Sequence, residues 1–227
     1  MEEFINKRAI TVYWIVLLAH CIFQYYELPY RAITKPMLVP VLLLYLLLTD
    51  KNIGKPAGKL LFYIGLFLAF FGDVFLIIIN DTFFLTGMIA FMLMNIFYSI
   101  SFLQLNKFRI GKSWPVIIIT VMLLITGYDL FRFLQDDMGD YKIPVMIYMF
   151  TVSVMIIAAV NIAGNVQYRK VALNYFIPGA FVFLIENVLL SLNKFHFEGN
   201  KDIYLAVMVT YGIAQYLLVK GVSKAYA

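Results

Sequence analysis

Long apolar stretches recur along the whole chain, and short polar segments separate them. Most stretches have about the 17–25 apolar residues that an α-helix needs to cross a bilayer. The pattern predicts an all-α fold, a polytopic membrane bundle of eight transmembrane helices in a single domain, residues 1–227. The predicted spans are 9–27, 36–49, 59–79, 83–103, 114–134, 143–163, 171–192 and 203–220.

The connections between the predicted spans are short. Asn80-Asp81-Thr82 is nearly a bare turn, and no linker or second domain is visible. The second span is the shortest, and it is predicted to begin at Pro36, because proline suits the first turn of a helix. We therefore expect any chemistry to be carried by the helices and the short loops.

Composition supports a membrane protein. Apolar residues make up 63% of the chain and charged residues 14%, whereas soluble domains have about 45–50% and about 25%. One soluble core cannot account for this excess of apolar residues. Cys21 is the only cysteine, so an intramolecular disulfide or a cysteine metal cluster is excluded. No metal-ligand spacing is present, and we expect neither a metal nor another cofactor.

Lysine and arginine residues predict the orientation in the membrane. The N-terminus, the even-numbered loops and the C-terminus together carry twelve, and the other loops carry six. The positive-inside rule places the richer side in the cytoplasm, and both termini with it. These charges are spread over every loop, which argues against binding to nucleic acid. The expected location is an integral, multi-pass position in a bacterial inner membrane. The richer side has Lys7, Arg8, Lys51, Lys55, Lys59, Lys107, Arg109, Lys112, Arg169, Lys170, Lys220 and Lys224. The other has Arg31, Lys35, Arg132, Lys142, Lys194 and Lys201.

Three carboxyl groups lie in the interior of predicted spans, and two of them, Asp73 and Glu186, are the candidates for function. Asp73 is the only charged residue between positions 60 and 79, and Glu186 lies within the seventh span. A carboxylate at the centre of a spanning helix costs roughly 2.5–3.5 kcal/mol on insertion scales. Such residues normally face the bundle interior and mark a functional site.

Other polar residues can join these carboxyl groups. Asn95 and Tyr98 are three residues apart, and Tyr211 and Gln215 are four apart, so each pair shares one helix face. With Asn187, they are predicted to form a polar pocket where the faces converge. The alternative for the three amides is that they bridge helices by hydrogen bonds, as amides commonly do inside membranes.

Several further polar positions have ordinary interpretations. Asp129 is six residues from the end of its span and is either structural or interfacial. His20, near an outer end, is predicted to be interfacial. Tyrosine and tryptophan are enriched where helices meet the membrane surface. The predicted members of this aromatic belt are Tyr25, Tyr26, Tyr30, Trp114 and Tyr204.

Three segments and one short motif resemble a known family. The segments, in chain order, are FFGDVFLIIINDTFFLTGMIAFMLMNIFYSISF (70–102), PGAFVFLIENVLLSLNKF (178–195) and YGIAQYLLVKG (211–221), and the motif is Thr34-Lys35-Pro36. They resemble the YhhN family of membrane lysoplasmalogenases. The resemblance runs in order from the second helix to the eighth, and it implies an eight-helical fold.

The resemblance implies hydrolysis of the vinyl ether of a lysoplasmalogen. The products are a fatty aldehyde and a glycerophospho-ethanolamine or -choline. The implied roles are general acid or base for Asp73 and partner carboxyl for Glu186, by analogy with glycoside hydrolysis. Lys35 either meets the lipid phosphate as a point charge or extends to the membrane surface. The residues that would line the pocket are Asn95, Tyr98, Asn187, Tyr211 and Gln215.

The chain departs from the family pattern at two positions. The family usually has histidine where this chain has Asn95, and Ser-Asp where it has Glu186-Asn187. Two other hypotheses therefore stand beside an ether hydrolase. One is a catalytically silent protein that binds a membrane lipid or lysophospholipid. The other is a small transporter coupled to protons through Asp73 or Glu186.

Overall fold

Eight long helices make up most of the part of the chain that the structure describes, as the sequence predicts. The computed structural model describes residues 2–49, 57–78, 80–108, 114–197 and 199–226, and of residues 2–7 only the backbone. Each helix contains a segment long and apolar enough to cross a membrane. Ile79, the last residue of the third predicted span, lies outside the described residues. The helices are α1 Glu2–Tyr25, α2 Arg31–Leu48, α3 Ala57–Phe75, α4 Asp81–Leu105, α5 Trp114–Leu134, α6 Lys142–Ile162, α7 Arg169–Phe195 and α8 Lys201–Ala225.

The start of α2 differs from the prediction. The helix begins at Arg31, and Pro36 lies inside it together with Pro40. The first turn forms earlier because the carbonyls of Pro29 and Tyr30 already accept hydrogen bonds from the residues three positions later. Proline inside a helix is tolerated in membrane bundles, where neighbouring groups compensate for the lost bond. The earlier start places Lys35 within α2 and directs it into the bundle.

Helix α7 contains one turn of different geometry. Residues Ala172–Phe176 form a π-helical turn, and α-helix resumes at Ile177. A π turn contains one more residue than an α turn. The residues that follow, including Glu186, are thus rotated by about 100° relative to an uninterrupted α-helix.

Glycine lets α3 approach α4 closely. Gly58, Gly65 and Gly72 recur every seven residues on the α3 face that packs against α4. A Cβ atom at Gly65 would lie 2.6 Å from the Tyr98 ring, and one at Gly72 would lie 2.6 Å from the Phe91 ring. The aromatic rings occupy the space that larger side chains would need. This packing holds Asp73, the next residue after Gly72, deep in the bundle.

The helices enclose one main core. Helix α8 contacts α1, α2 and α7, while α4 packs between α3 and α6. Helix α5 lies at the edge, against α6 and α7, and most of its residues are exposed. Its outward face is apolar, which suits contact with lipid.

Ion pairs connect the loops at one end of the bundle. Glu27 pairs with Lys201, Asp81 with Lys194 at 3.9 Å, and Asp137 contacts His196 at 2.9 Å. These residues lie in or directly beside the α1–α2, α3–α4, α5–α6 and α7–α8 connections, and we refer to this side as the Asn80 end.

Polar contacts connect the opposite end. Lys220 donates to the Tyr45 hydroxyl at 2.8 Å, and Ser223 donates to the Thr49 hydroxyl at 3.3 Å. Both termini lie at this end, because an even number of helices separates them. Which end faces the cytoplasm stays a prediction. Some of the basic residues that support this orientation lie outside the described part of the chain: Lys51, Lys55, Arg109, Lys112 and the side chain of Lys7.

We predict that Gly65→Ala destabilises the protein. The new methyl group would press on the Tyr98 ring, and overpacking of this kind typically costs about 1–3 kcal/mol. Thermal unfolding in detergent should show a lower midpoint than for the wild type. The matched control is Gly127→Ala on α5, where the nearest atom would be 3.6 Å away. Equal midpoints for the two variants would contradict the close α3–α4 contact.

Candidate functional site

Asp73 lies in the last turn of α3, fully enclosed by the bundle. Its carboxyl group is 1% exposed. The Tyr211 hydroxyl of α8 donates a hydrogen bond to Asp73 Oδ2 at 2.8 Å. The tyrosine therefore fixes the carboxyl group in place and ties α3 to α8.

Glu186 and Lys35 reach the same place from α7 and α2. Both side chains are buried. Lys35 Nζ donates to the Tyr204 hydroxyl at 3.4 Å, and its charge acts on Asp73 and on Glu186. Among the described residues, no ion pair within 4.0 Å joins Lys35 to either carboxyl group. The three ionisable groups converge without touching.

A small cavity lies between these three ionisable groups. Lys35, Asp73, Glu186 and Tyr211 line it, together with Tyr148 of α6. Its volume is about 20 Å³, which is room for about one water molecule. Charges buried in an apolar bundle must compensate one another. One ammonium group offsets one carboxylate, so a neutral cavity requires a proton on one of the two carboxyl groups.

Two of the predicted pocket residues lie one layer deeper. The Tyr98 hydroxyl donates to Gln215 Oε1 at 3.1 Å, and Gln215 Nε2 contacts Met94 Sδ at 3.5 Å. The Tyr98 ring stacks on Phe62 with centroids 4.2 Å apart. Tyr98 and Gln215 thus bridge α4 and α8 beneath the cavity and do not line it.

The two asparagines differ in their contacts. Asn187 donates from Nδ2 to the Phe183 carbonyl at 2.7 Å and accepts from the Tyr148 hydroxyl. It joins α7 to α6, which is the bridging role considered for it. Asn95 is fully buried and its side chain interacts with Tyr148, yet neither Oδ1 nor Nδ2 makes a hydrogen bond of normal geometry among the described residues. It lines none of the described cavities, and it bridges no helices.

The structure shows the surroundings of four further polar residues, His20, Lys35, Tyr204 and Asp129. His20 is buried, because α1 packs on α2, and its Nδ1 lies 3.0 Å from the Thr34 hydroxyl. Its depth relative to the membrane interface stays a prediction. Lys35 does not extend to the membrane surface, and Tyr204 turns its hydroxyl inward to Lys35. Asp129 is exposed on α5, away from the cavity.

Sequence reasoning missed Tyr148. This residue lies five positions into the sixth predicted span, where a tyrosine is also compatible with an aromatic belt. The sequence therefore offered no signal that would single it out. The Tyr148 side chain lines the cavity, and its hydroxyl donates a hydrogen bond to Asn187 Oδ1.

Two further spaces adjoin the cavity. A vestibule of about 800 Å³ at the Asn80 end meets it at Leu76, Leu190 and Tyr204. An apolar space of about 30 Å³ meets it at Leu76, Phe91, Tyr148 and Leu190. The carboxyl groups therefore lie where a polar space and an apolar space come together. The vestibule is lined by Leu76, Ile78, Asn80, Asp81, Phe84, Leu190, Asn193, Lys194, Gly199 and Tyr204.

The described residues contain no group of three histidine, cysteine, aspartate or glutamate side chains that could hold a metal ion. The polar groups of the cavity are two carboxyl groups, one ammonium group and three phenols. This set can transfer protons and stabilise a cation.

Comparison with known proteins gives one match. The model of the YhhN family matches residues 30–222, which include every residue of the cavity. No curated protein and no solved structure matches the chain.

We predict that Asn95→Leu stabilises the fold. Each unpartnered buried polar group costs about 1–3 kcal/mol, and leucine of similar size removes two of them. The matched control is Asn161→Leu, because Asn161 and Asn106 exchange hydrogen bonds of 2.6 and 2.7 Å. Thermal unfolding should show a higher midpoint for Asn95→Leu and a lower one for Asn161→Leu. A lower midpoint for both would mean that Asn95 has a stabilising partner.

Proposed function

Because the chain belongs to the YhhN family, we propose that it is an ether hydrolase of the lysoplasmalogenase type. The substrate is a lysophospholipid with a vinyl ether. The products are a fatty aldehyde and a glycerophospho-ethanolamine or -choline. The reaction takes place inside the membrane, and it uses the carboxyl groups of Asp73 and Glu186. We also propose that both termini face the cytoplasm of a bacterial cell.

The arrangement of the cavity is the observation that carries this proposal. Two carboxyl groups surround a space for about one water molecule. A vestibule with polar side chains and a smaller, mostly apolar space both adjoin it, and these two spaces share Leu76, Phe84, Leu190 and Lys194. A lysoplasmalogen has a matching pair of parts, because its vinyl ether joins a polar head to a hydrocarbon chain. The reacting bond would thus lie beside the carboxyl groups.

The chemistry follows from these groups. Protonation of the alkene carbon next to the vinyl ether carbon turns that ether carbon into an oxocarbenium-like cation. A carboxylic acid can deliver the proton, and a carboxylate can stabilise the cation, as in glycoside hydrolysis. Water then adds to the cation, and the hemiacetal collapses to aldehyde and alcohol. One water molecule is consumed, and the proton that is released restores the acid.

The contacts suggest how the two roles divide. Asp73 already accepts a hydrogen bond from Tyr211, which suits the carboxylate that stabilises the cation and receives a proton from water. Glu186 has no hydrogen bond among the described residues and lines the cavity, which suits the acid. Lys35 offsets the charge of the carboxylate. Entry of the lipid requires Leu76, Leu190 and Tyr204 to move apart.

Aldehyde release from 1-alkenyl lysophosphatidylethanolamine by the purified protein tests the proposal. We expect activity in the wild type and a loss of about 10²–10⁴-fold in Asp73→Asn and in Glu186→Gln, the range for removal of a general acid or base. Asp129→Asn is the matched control, since that carboxyl group is exposed on α5. It should keep wild-type activity.

Three other results would contradict the proposal, and two of them identify the alternatives. Lipid that co-purifies with the wild type but yields no aldehyde would indicate a binding protein. Gradient-dependent movement of a solute into sealed vesicles, without hydrolysis, would indicate a transporter. Equal loss of activity in all three variants would mean that the effect is not specific to the cavity.

A further inference from the structure

The vestibule contains two opposite charges held close together. Lys194 of α7 lies 3.9 Å from Asp81 at the start of α4. Its ammonium group also lies over the Phe84 ring, 4.6 Å from the centroid. An aromatic face attracts a cation and restricts where it can move. The vestibule therefore presents a positive and a negative group in a defined relative position.

A buried amide lies next to these charges. Asn193 is 2% exposed and lines the vestibule, and its Oδ1 has no hydrogen-bond partner among the described residues. Native proteins rarely leave a buried acceptor unpaired, because its desolvation costs free energy that nothing offsets. An N–H donor entering the vestibule would supply the missing bond.

We propose that the vestibule binds a phosphoethanolamine head group. Lys194 contacts the phosphate, and Asp81 and Asn193 contact the primary ammonium group. This inference rests on the proposed function, because it takes the vestibule as the polar part of the same lipid site. It goes further by naming the head group and the residues that select it.

The same contacts disfavour choline. A primary ammonium group has three N–H donors for the Asp81 carboxylate and the Asn193 oxygen, whereas a trimethylammonium group has none. Proteins bind quaternary ammonium groups in cages of free aromatic faces. The aromatic residues in the described lining of the vestibule are Phe84 and Tyr204. Lys194 already covers the Phe84 ring, and the Tyr204 hydroxyl contacts Lys35.

Binding of lipids that cannot react tests the inference separately from catalysis. The probes are the saturated 1-alkyl ethers of lysophosphatidylethanolamine and lysophosphatidylcholine, titrated against the purified full chain by native mass spectrometry. We expect the ethanolamine lipid to bind about three- to tenfold more tightly, the range for a partly exposed charged hydrogen bond. Glycerophosphoethanolamine and diacyl phosphatidylethanolamine distinguish the lysolipid from other sources of the head group. Both should bind more weakly than the ethanolamine lysolipid.

Two variants separate the roles of the charges. Asp81→Asn should weaken binding of the ethanolamine lipid about three- to tenfold and binding of the choline lipid less, because both lose the attraction of the carboxylate but only the ethanolamine lipid loses a hydrogen bond. Lys194→Gln should weaken the binding of both lipids by a similar factor, because both contain the phosphate. The matched controls are Asp136→Asn and Lys142→Gln, two exposed charges at the same end that do not line the vestibule. They should bind as the wild type does.

Each outcome decides a different point. Equal affinity of the wild type for the two head groups would overturn the inference, even if aldehyde is released. Loss of selectivity in Asp136→Asn as well would also overturn it, because the effect would then be one of general surface charge. Selective binding without aldehyde release would support the head-group site while the proposed hydrolysis fails.

Discussion

Three ionisable side chains inside an apolar bundle impose the main constraint on this structure. Lys35, Asp73 and Glu186 come from three helices, and each alone would be costly to bury. Together they offset part of one another's charge around a single cavity. The helices must pack closely enough to keep these groups near one another, and the glycines of α3 and the bond from Tyr211 to Asp73 serve that purpose.

The need to compensate these buried charges also explains why the site lies near the Asn80 end. A cavity in the middle of the bundle would have hydrocarbon above and below it. Here the vestibule with Asp81 and Lys194 and the apolar side chains of α4 and α6 both adjoin the cavity. A lipid with one chain has a polar head for the first and an apolar tail for the second, and the cavity of about 20 Å³ and the apolar space of about 30 Å³ must widen to admit it. A water-soluble substrate would leave the apolar space unused.

Sequence alone predicted the eight helices, the burial of Asp73, and the convergence of the faces of α4 and α8. Those features follow from hydrophobic pattern and helical spacing. It could not predict the direction of Glu186, because one π turn in α7 rotates every later side chain. It also misplaced Lys35, because the first turn of α2 forms at Pro29 and Tyr30 rather than at Pro36. Tyr148 joins the cavity through packing of α6 on α4, which a single sequence does not encode visibly.

The most direct test of the carboxyl pair is an experimental structure of the wild type with the saturated 1-alkyl ether of lysophosphatidylethanolamine. Our account predicts that the ether oxygen and its neighbouring chain carbon lie between Asp73 and Glu186, with at least one carboxyl oxygen at about 3 Å, hydrogen-bond distance. The hydrocarbon chain should pass between α4, α6 and α7, where the apolar space of about 30 Å³ has widened to admit it. A lipid bound on the outer face of α5, with the cavity between Asp73 and Glu186 unchanged, would contradict it.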